Sequence, residues 1–260
     1  MKRLKFERIL GVGLFLFVWE ITARSKILFF LGIIKMEALA FPPTIPSVIW
    51  AFYQDIMSGT MILSIGYSII HLLIGLVLAV LLGVPLGVLT GWSRRAEYII
   101  DPIIQVMRPI PPLAWIPIAI MMLGLTHQAA GFIIFIGAFF PVLVNTYSGV
   151  RSTDPRLVEM AKTLGATEMQ VLTKVVLPYS TPMMTAGIRI SLGVGWMCVV
   201  AAEMFGVSTY GLGYKIPYYS NILMYNYVFA YMLTLGLIGY IMDTMFKRLE
   251  SWKLRWRETI

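Results

Sequence analysis

Charge is scarce in this chain: 13% of its 260 residues are Asp, Glu, Lys or Arg, while 58% are apolar. A soluble domain carries about twice that charged share, and with a mean hydropathy of +0.80 the composition excludes a water-soluble fold and points to a bilayer. Thiols are scarcer still. The single cysteine, Cys198, lies in an apolar run and has no second cysteine to bridge, so packing is its expected role. There are two histidines, and no H-E-x-x-H or G-x-S-x-G occurs. The reactive groups of an intramembrane enzyme are therefore missing. Also absent is G-x-x-x-x-G-K-[ST], the loop that cradles nucleotide phosphates, so any ATP has to be bound by another polypeptide. No catalytic residue, metal site or cofactor is expected in this chain.

The charge that is present leans basic, with a formal net charge of +8. Its cations flank apolar runs and do not interleave with aromatics on a soluble face, so anchoring at a membrane surface explains them and nucleic-acid binding is not expected. The start of the chain has a basic lead and a short apolar core, but no small-residue cleavage site follows. It reads as a retained first span. About 20 mostly apolar residues cross a bilayer, and six stretches qualify: about 6–23, 62–91, 99–123, 129–149, 181–205 and 226–246. The whole chain, 1–260, is expected to be one all-α transmembrane domain. Fifteen Lys and Arg fall at the termini and in the loops after spans two and four, against Arg24, Lys26, Lys35 and Lys215 on the opposite side. The positive-inside rule then puts both termini and the loop 151–178 in the cytoplasm.

Within the spans, Gly83, Gly87 and Gly91 recur every four residues around Pro85. They predict close helix approach, and packing inside one subunit is preferred to a dimer contact. Span three contains Pro109, Pro111, Pro112 and Pro117, each lacking an amide donor. Irregular backbone at membrane depth survives where protein or a water-filled cavity covers it, so span three is expected in the bundle interior, at a pathway. Phe41 to Trp50 reads as a turn into an interfacial helix, and Trp252 with Trp256 as a helix lying on the inner leaflet. Gly206 to Asn226 is read either as a mouth for solute or as a compact loop with aromatic anchors.

Two arginines fall inside spans, and intramembrane charges face a cavity or a partner. Arg108 either attracts an anionic solute or pairs with Asp101, the pairing being preferred. Arg189 is expected either to reach the cytoplasmic edge or to pair with a carboxylate elsewhere, solute contact being the lesser reading. Glu20, Glu203 and Asp243 are expected in interhelical or interfacial bonds. His71 is read first as a satisfied packing histidine and second as a proton carrier or ligand. His71, Arg108 and Arg189 together are the candidate residues of a translocation path.

Between spans four and five the sequence turns polar, from Arg151 to Pro178. Asp154-Pro155 is a helix start, since Asp accepts from free first-turn amides and Pro at the first position has none to orphan. Leu157, Met160, Ala161 and Leu164 recur with helical spacing as one apolar stripe opposite Arg156, Glu159 and Lys162. Gly165 suits the left-handed stop of that helix. Thr167 to Gln170 fits a capping box opening a second helix, whose apolar face of Met169, Leu172 and Val176 continues until Leu177-Pro178 ends it.

The pattern E-M-A-x-x-x-G-x(9)-V-x-L-P, from Glu159 through Gly165 to Pro178, resembles the EAA loop of permease subunits of binding-protein-dependent ABC importers. Met160 and Val175 stand where that pattern prefers Ala and Ile. The resemblance extends to F-P-P-T-I-P-S-V before span two, S-I-I-H-L-L-I-G within it, R-P-I-P-P-L-A-W-I-P in span three, and A-E-M-F-G with G-L-G-Y after span five. Together these look like the branch that imports nitrate, sulfonates, taurine, bicarbonate and related small molecules. One departure is His71, where the pattern commonly has Arg.

The resemblance implies a type I ABC importer permease of the prokaryotic inner membrane. It implies a second permease subunit, as a homodimer, two copies of a cytoplasmic ABC ATPase that bind the ATP, and an extracytoplasmic substrate-binding protein. Glu159, Met160, Ala161, Gly165, Ala166, Thr167, Leu177 and Pro178 would be the contacts that couple the chain to the ATPase. The solute would be small and anionic. The alternatives are a neutral or cationic cofactor precursor carried by the same mechanism and, further off, an ATP-independent channel or an intramembrane enzyme.

Overall fold

The computed structural model describes residues 2–25, 42–208 and 210–253, and all its elements are helical. In chain order they are α1 (Lys2–Ser25), α2 (Ile45–Met57), α3 (Thr60–Trp92), α4 (Arg94–Met107), a 3-10 turn (Pro112–Trp115), α5 (Ile116–Leu123), α6 (His127–Arg151), α7 (Pro155–Thr163), α8 (Glu168–Val171), a π-turn (Leu172–Val176), α9 (Leu177–Met204), α10 (Leu212–Asn221) and α11 (Tyr225–Lys253).

Four stretches are continuous, long and apolar enough to cross a bilayer: α3, α6, the run Glu168–Met204, and α11 from Tyr225 to Trp252. The region read as span three is a bent pair, with α4 and the segment Pro112–Leu123 meeting at 88°. Prolines 109, 111 and 112 cause the break. They lack amide donors, and each disfavours helical backbone in the residue before it; Pro111 itself is extended, with ψ 135°. Pro117 is tolerated in the first turn of α5. The expected interior position of span three holds only for α5, which buries Ile116 and Ala119. By contrast, α4 buries Ile104 and leaves Tyr98, Ile99, Ile103 and Val106 exposed. As for α1, it has 24 residues, but every 18-residue stretch of it holds at least three charged side chains, so it stands apart from the four.

The bundle is built on α3 against α6, and α6 against α9. The glycine stripe of α3 is where the first pair closes: a Cβ on Gly87 would lie 2.7 Å from the Leu143 carbonyl, and one on Gly91 2.7 Å from Val150 Cβ. The stripe therefore serves packing within the chain, as preferred from sequence. Across the second pair, the Ser191 hydroxyl donates to the Ala138 carbonyl at 2.6 Å. Ile133, Ile134, Leu72, Val199, Leu212 and Tyr231 fill the core between these helices, with Cys198 buried among them. The helix expected from the segment Phe41 to Trp50 is α2, with Pro46 in its first turn.

Two boundaries differ from expectation. Leu177-Pro178 does not end a helix: the backbone runs helical from Glu168 to Met204. The Leu177 amide reaches back five residues to the Leu172 carbonyl, and this wider turn admits a proline that has no amide of its own. At the other end, the segment carrying Trp252 continues α11 and is not a separate surface helix. Trp256 lies outside the described residues, as do Phe41, Lys26 and Lys35.

Candidate functional site

The polar loop is a clamp made by short-range bonds. Asp154 accepts from the Arg156 amide at 2.9 Å and starts α7. Gly165 closes it at φ +82°, its amide reaching Lys162 at 2.9 Å while the Ala166 amide reaches Ala161 at 3.0 Å. That pair of bonds satisfies helix-end carbonyls in a Schellman turn, and positive φ selects glycine. Thr167 and Gln170 then form the reciprocal cap expected, at 3.3 and 2.8 Å. Lys162 bridges the turn to Glu168 at 2.6 Å.

The clamp has two faces. Val158, Ala161, Ala166 and Leu172 pack with Val171 and Val176 against Val150, Val88 and Trp92, at the ends of α3 and α6. The stripe read as one face is thus divided, since Ala161 turns inward while Leu157, Met160 and Leu164 stay outside at 38%, 60% and 83% exposure, with Met169 at 67%. Helical spacing places the four residues together but does not say which edge meets the bundle. Glu159, Gly165 and Thr167 are exposed on the same clamp; Leu177 and exposed Pro178 sit where it enters α9.

The three candidate path residues occupy three separate places. Arg108 is exposed and lines a cavity of about 570 Å³ with Thr90, Asp101, Gln105 and Tyr147. Its preferred pairing with Asp101 does not form. Asp101 instead accepts from the Gln105 side-chain Nε2 at 2.5 Å, one turn on and nearer than Arg108, which already caps the helix end. Nearby, Glu97 accepts from Tyr147 at 2.7 Å and pairs with Arg151 at 3.4 Å. Of the two main readings of Arg189, the carboxylate pairing is the one that forms, with Asp243 at 2.9 Å and Glu250 at 3.8 Å, and Lys247 on Asp243 at 2.6 Å. It ties α9 to α11.

His71 sits at the opposite end of the bundle from the clamp, wholly buried. Its Nδ1 is 2.8 Å from Glu203 Oε1 and its Nε2 is 2.7 Å from His127 Nδ1. Glu203, also wholly buried, further accepts from the Ser68 hydroxyl at 2.9 Å and the Gly213 amide at 2.8 Å. The Leu212 amide donates to Ser68 Oγ at 2.9 Å. There is no room for more: a Cβ on Gly211 would collide with the Glu203 carboxylate. Of the interhelical and interfacial roles read for Glu203 the interhelical one forms, while His127 was missed, because its place beside His71 depends on the register of α6 against α3. The loop after α9 is compact, with α10 held by Tyr219 and, from α11, Tyr231, both donating to buried Asp55 at 3.0 and 2.7 Å. Burial, and then this bond, push the Tyr219 hydroxyl above the ordinary phenol range, so it remains a donor.

The profile of a family described as binding-protein-dependent transport system inner membrane component matches residues 83–255. A putative ABC transporter permease protein of Methanocaldococcus jannaschii is 44% identical over 171 residues, covering 66% of this chain and 64% of that protein. The putative aliphatic sulfonates transport permease protein SsuC of Bacillus subtilis is 35% identical over 229 residues, covering 88% of this chain and 82% of its own length. The taurine transport system permease protein TauC of Escherichia coli is 32% identical, covering 78% and 74%. Among solved structures, the methionine ABC transporter MetNI in an inward-facing conformation has a chain similar to this one, with a TM-score of 0.63 at 21% identity, covering 75% of this chain and 97% of that one. At that identity the likeness concerns the fold.

Proposed function

We propose, from the premise that this chain belongs to the family of binding-protein-dependent transport system inner membrane components, that it is the permease subunit of an ATP-driven importer of a small anionic solute of the sulfonate type. The observation that carries the coupling part is the outer face of the clamp. Leu157, Met160 and Leu164 are exposed on and at the end of α7, while the other face of the clamp packs in one cluster with Val88 and Trp92 of α3 and Val150 of α6. Contiguous exposed apolar side chains on a rigid helix mark a protein contact. In this reading the loop 151–178 and both termini lie in the cytoplasm and α7 docks in a groove of an ABC ATPase. Two ATPases bind the ATP, two copies of this chain line the path, and an extracytoplasmic binding protein delivers the solute.

The mechanism is mechanical. Nucleotide binding draws the ATPases together, and the docked helix passes that displacement through the π-turn into α9. Helix α9 carries the motion onward through Arg189 to α11 and through Ser191 to α6. The solute class is supported by Arg108, which lines the 570 Å³ cavity and has no carboxylate within ion-pair distance among the described residues; an unpaired guanidinium suits an oxyanion. The sulfonate and taurine relatives point the same way.

The test is uptake of a labelled alkanesulfonate into liposomes holding the chain, its ATPase and its binding protein. Uptake should require ATP. Undiminished flux without the ATPase would overturn the reading, and a cation identified by mass spectrometry on the purified complex would overturn the solute class.

A further inference from the structure

Glu203 gathers three donors: the Ser68 hydroxyl and His71 Nδ1 from α3, and the Gly213 amide from the first turn of α10. Ser68 in turn takes the Leu212 amide. One buried carboxylate thereby holds the Gly211–Gly213 loop on the bundle. Behind it stands a line of imidazoles, His71 wholly buried and His127 exposed at the first turn of α6. The other titratable groups facing this line are Tyr67 of α3, stacked on His127 at 5.4 Å, and Tyr210 of the loop, stacked on Tyr67 at 4.8 Å.

With Glu203 taken as ionised and both rings as neutral, the hydrogen bonds place the protons. An ionised Glu203 only accepts, so His71 Nδ1 carries a proton; the Nε2 of that neutral ring must then accept from His127 Nδ1–H. This leaves His127 Nε2 as a bare lone pair at the exposed end, and the buried carboxylate faces no cation. When a proton arrives at His127 Nε2, the Nδ1 proton can pass along the 2.7 Å bond to His71 Nε2. One proton enters, one moves, and none is lost. His71 becomes an imidazolium donating at both nitrogens, and Glu203 gains a charge-assisted bond in a dry site.

We propose that His127 and His71 form a proton-binding relay that tightens the hold of Glu203 on the Gly211–Gly213 loop when one proton is taken up at the face of the bundle opposite the clamp. The proton adds a charge-assisted bond to the clasp, so acid favours the clasp and rising pH weakens it. That this face is extracytoplasmic rests on the orientation given for the importer; the relay and the clasp do not.

Hydrogen–deuterium exchange of the full-length chain in lipid nanodiscs tests it, reading the peptide that contains Leu212 and Gly213 at about pH 5.5 and pH 8, across the range where histidine titrates. After correction for intrinsic rates, protection should be roughly threefold or more higher at the acid value. His127→Gln, which cannot carry the proton, should remove the difference, and His71→Arg, a fixed cation, should give high protection at both values. Because the chain has two histidines, nitrogen-15 histidine labelling of the unmodified protein adds a readout independent of variants: His71 should acquire the imidazolium signature over the same range. Equal protection at both values, a difference that survives His127→Gln, or a His71 ring that stays neutral throughout would each overturn the relay. Since no transport is read, an importer that failed its uptake test would leave this result standing.

Discussion

The two ends of the same bundle are held together in opposite ways. At the clamp, the bonds that matter join residues two to six positions apart: Asp154 to Arg156, Gly165 to Lys162, Thr167 to Gln170, Lys162 to Glu168. At the far end three of them join residues more than 130 apart, Ser68 to Glu203, His71 to Glu203 and Leu212 to Ser68, and His71 to His127 spans 56. The clamp also exposes apolar side chains, whereas the far end buries ionisable ones. A locally bonded unit keeps its shape when its surroundings move, which suits a part that transmits force. A unit bonded across the chain exists only while the helices stay in register, which suits a part whose release reports that they have moved.

Substitutions should separate the ends. The largest effect is expected from Glu203→Leu, which strands the Ser68 hydroxyl, His71 and the Gly213 amide in a buried site. A loss of about 1–3 kcal/mol for each stranded group should appear as a collapse of the folded, monodisperse fraction in a thermal-shift chromatography assay. Next comes Gly165→Val. A β-branched residue at φ +82° costs about 1–2 kcal/mol, all of it in the clamp, so the protein should still insert while ATP-driven uptake falls by roughly tenfold or more. Gly165→Asn, which tolerates that backbone, should keep most of the uptake, and an unfolded Gly165→Val protein would erase the distinction between the two ends. Thr167→Ala removes the cap of α8 for about 1 kcal/mol and should raise exchange of the first amides of that helix alone. Lys162→Ala is expected to be the mildest, within about 1 kcal/mol, because both partners of that ion pair are exposed; a titration of melting temperature against salt should show little difference from the parent.

How much was legible in the sequence follows the same division. Asp154, Gly165, Thr167 and Gln170 could be read because caps and left-handed turns are written in a few neighbouring residues. The α3 glycines could be read because a bare helix face implies a close neighbour, though not which one. His127 beside His71 could not, since it depends on the register of two helices whose apolar residues are interchangeable to a bilayer. Arg108 was misjudged because a helical wheel brings Asp101 near it but does not show that Gln105 stands between. Pro178 was read as a stop because proline ends ordinary helices; a π-turn that absorbs it leaves no composition of its own.

That continuity sets a scale for motion. A rod of 37 residues from Glu168 to Met204 is roughly 55 Å long at the helical rise. Tilting it by about 5° carries one tip roughly 5 Å relative to the other, more than the reach of a hydrogen bond. Glu203 sits one residue from the tip, so a rotation too small to disturb apolar packing along the rod is enough to part a carboxylate from the Gly213 amide it holds.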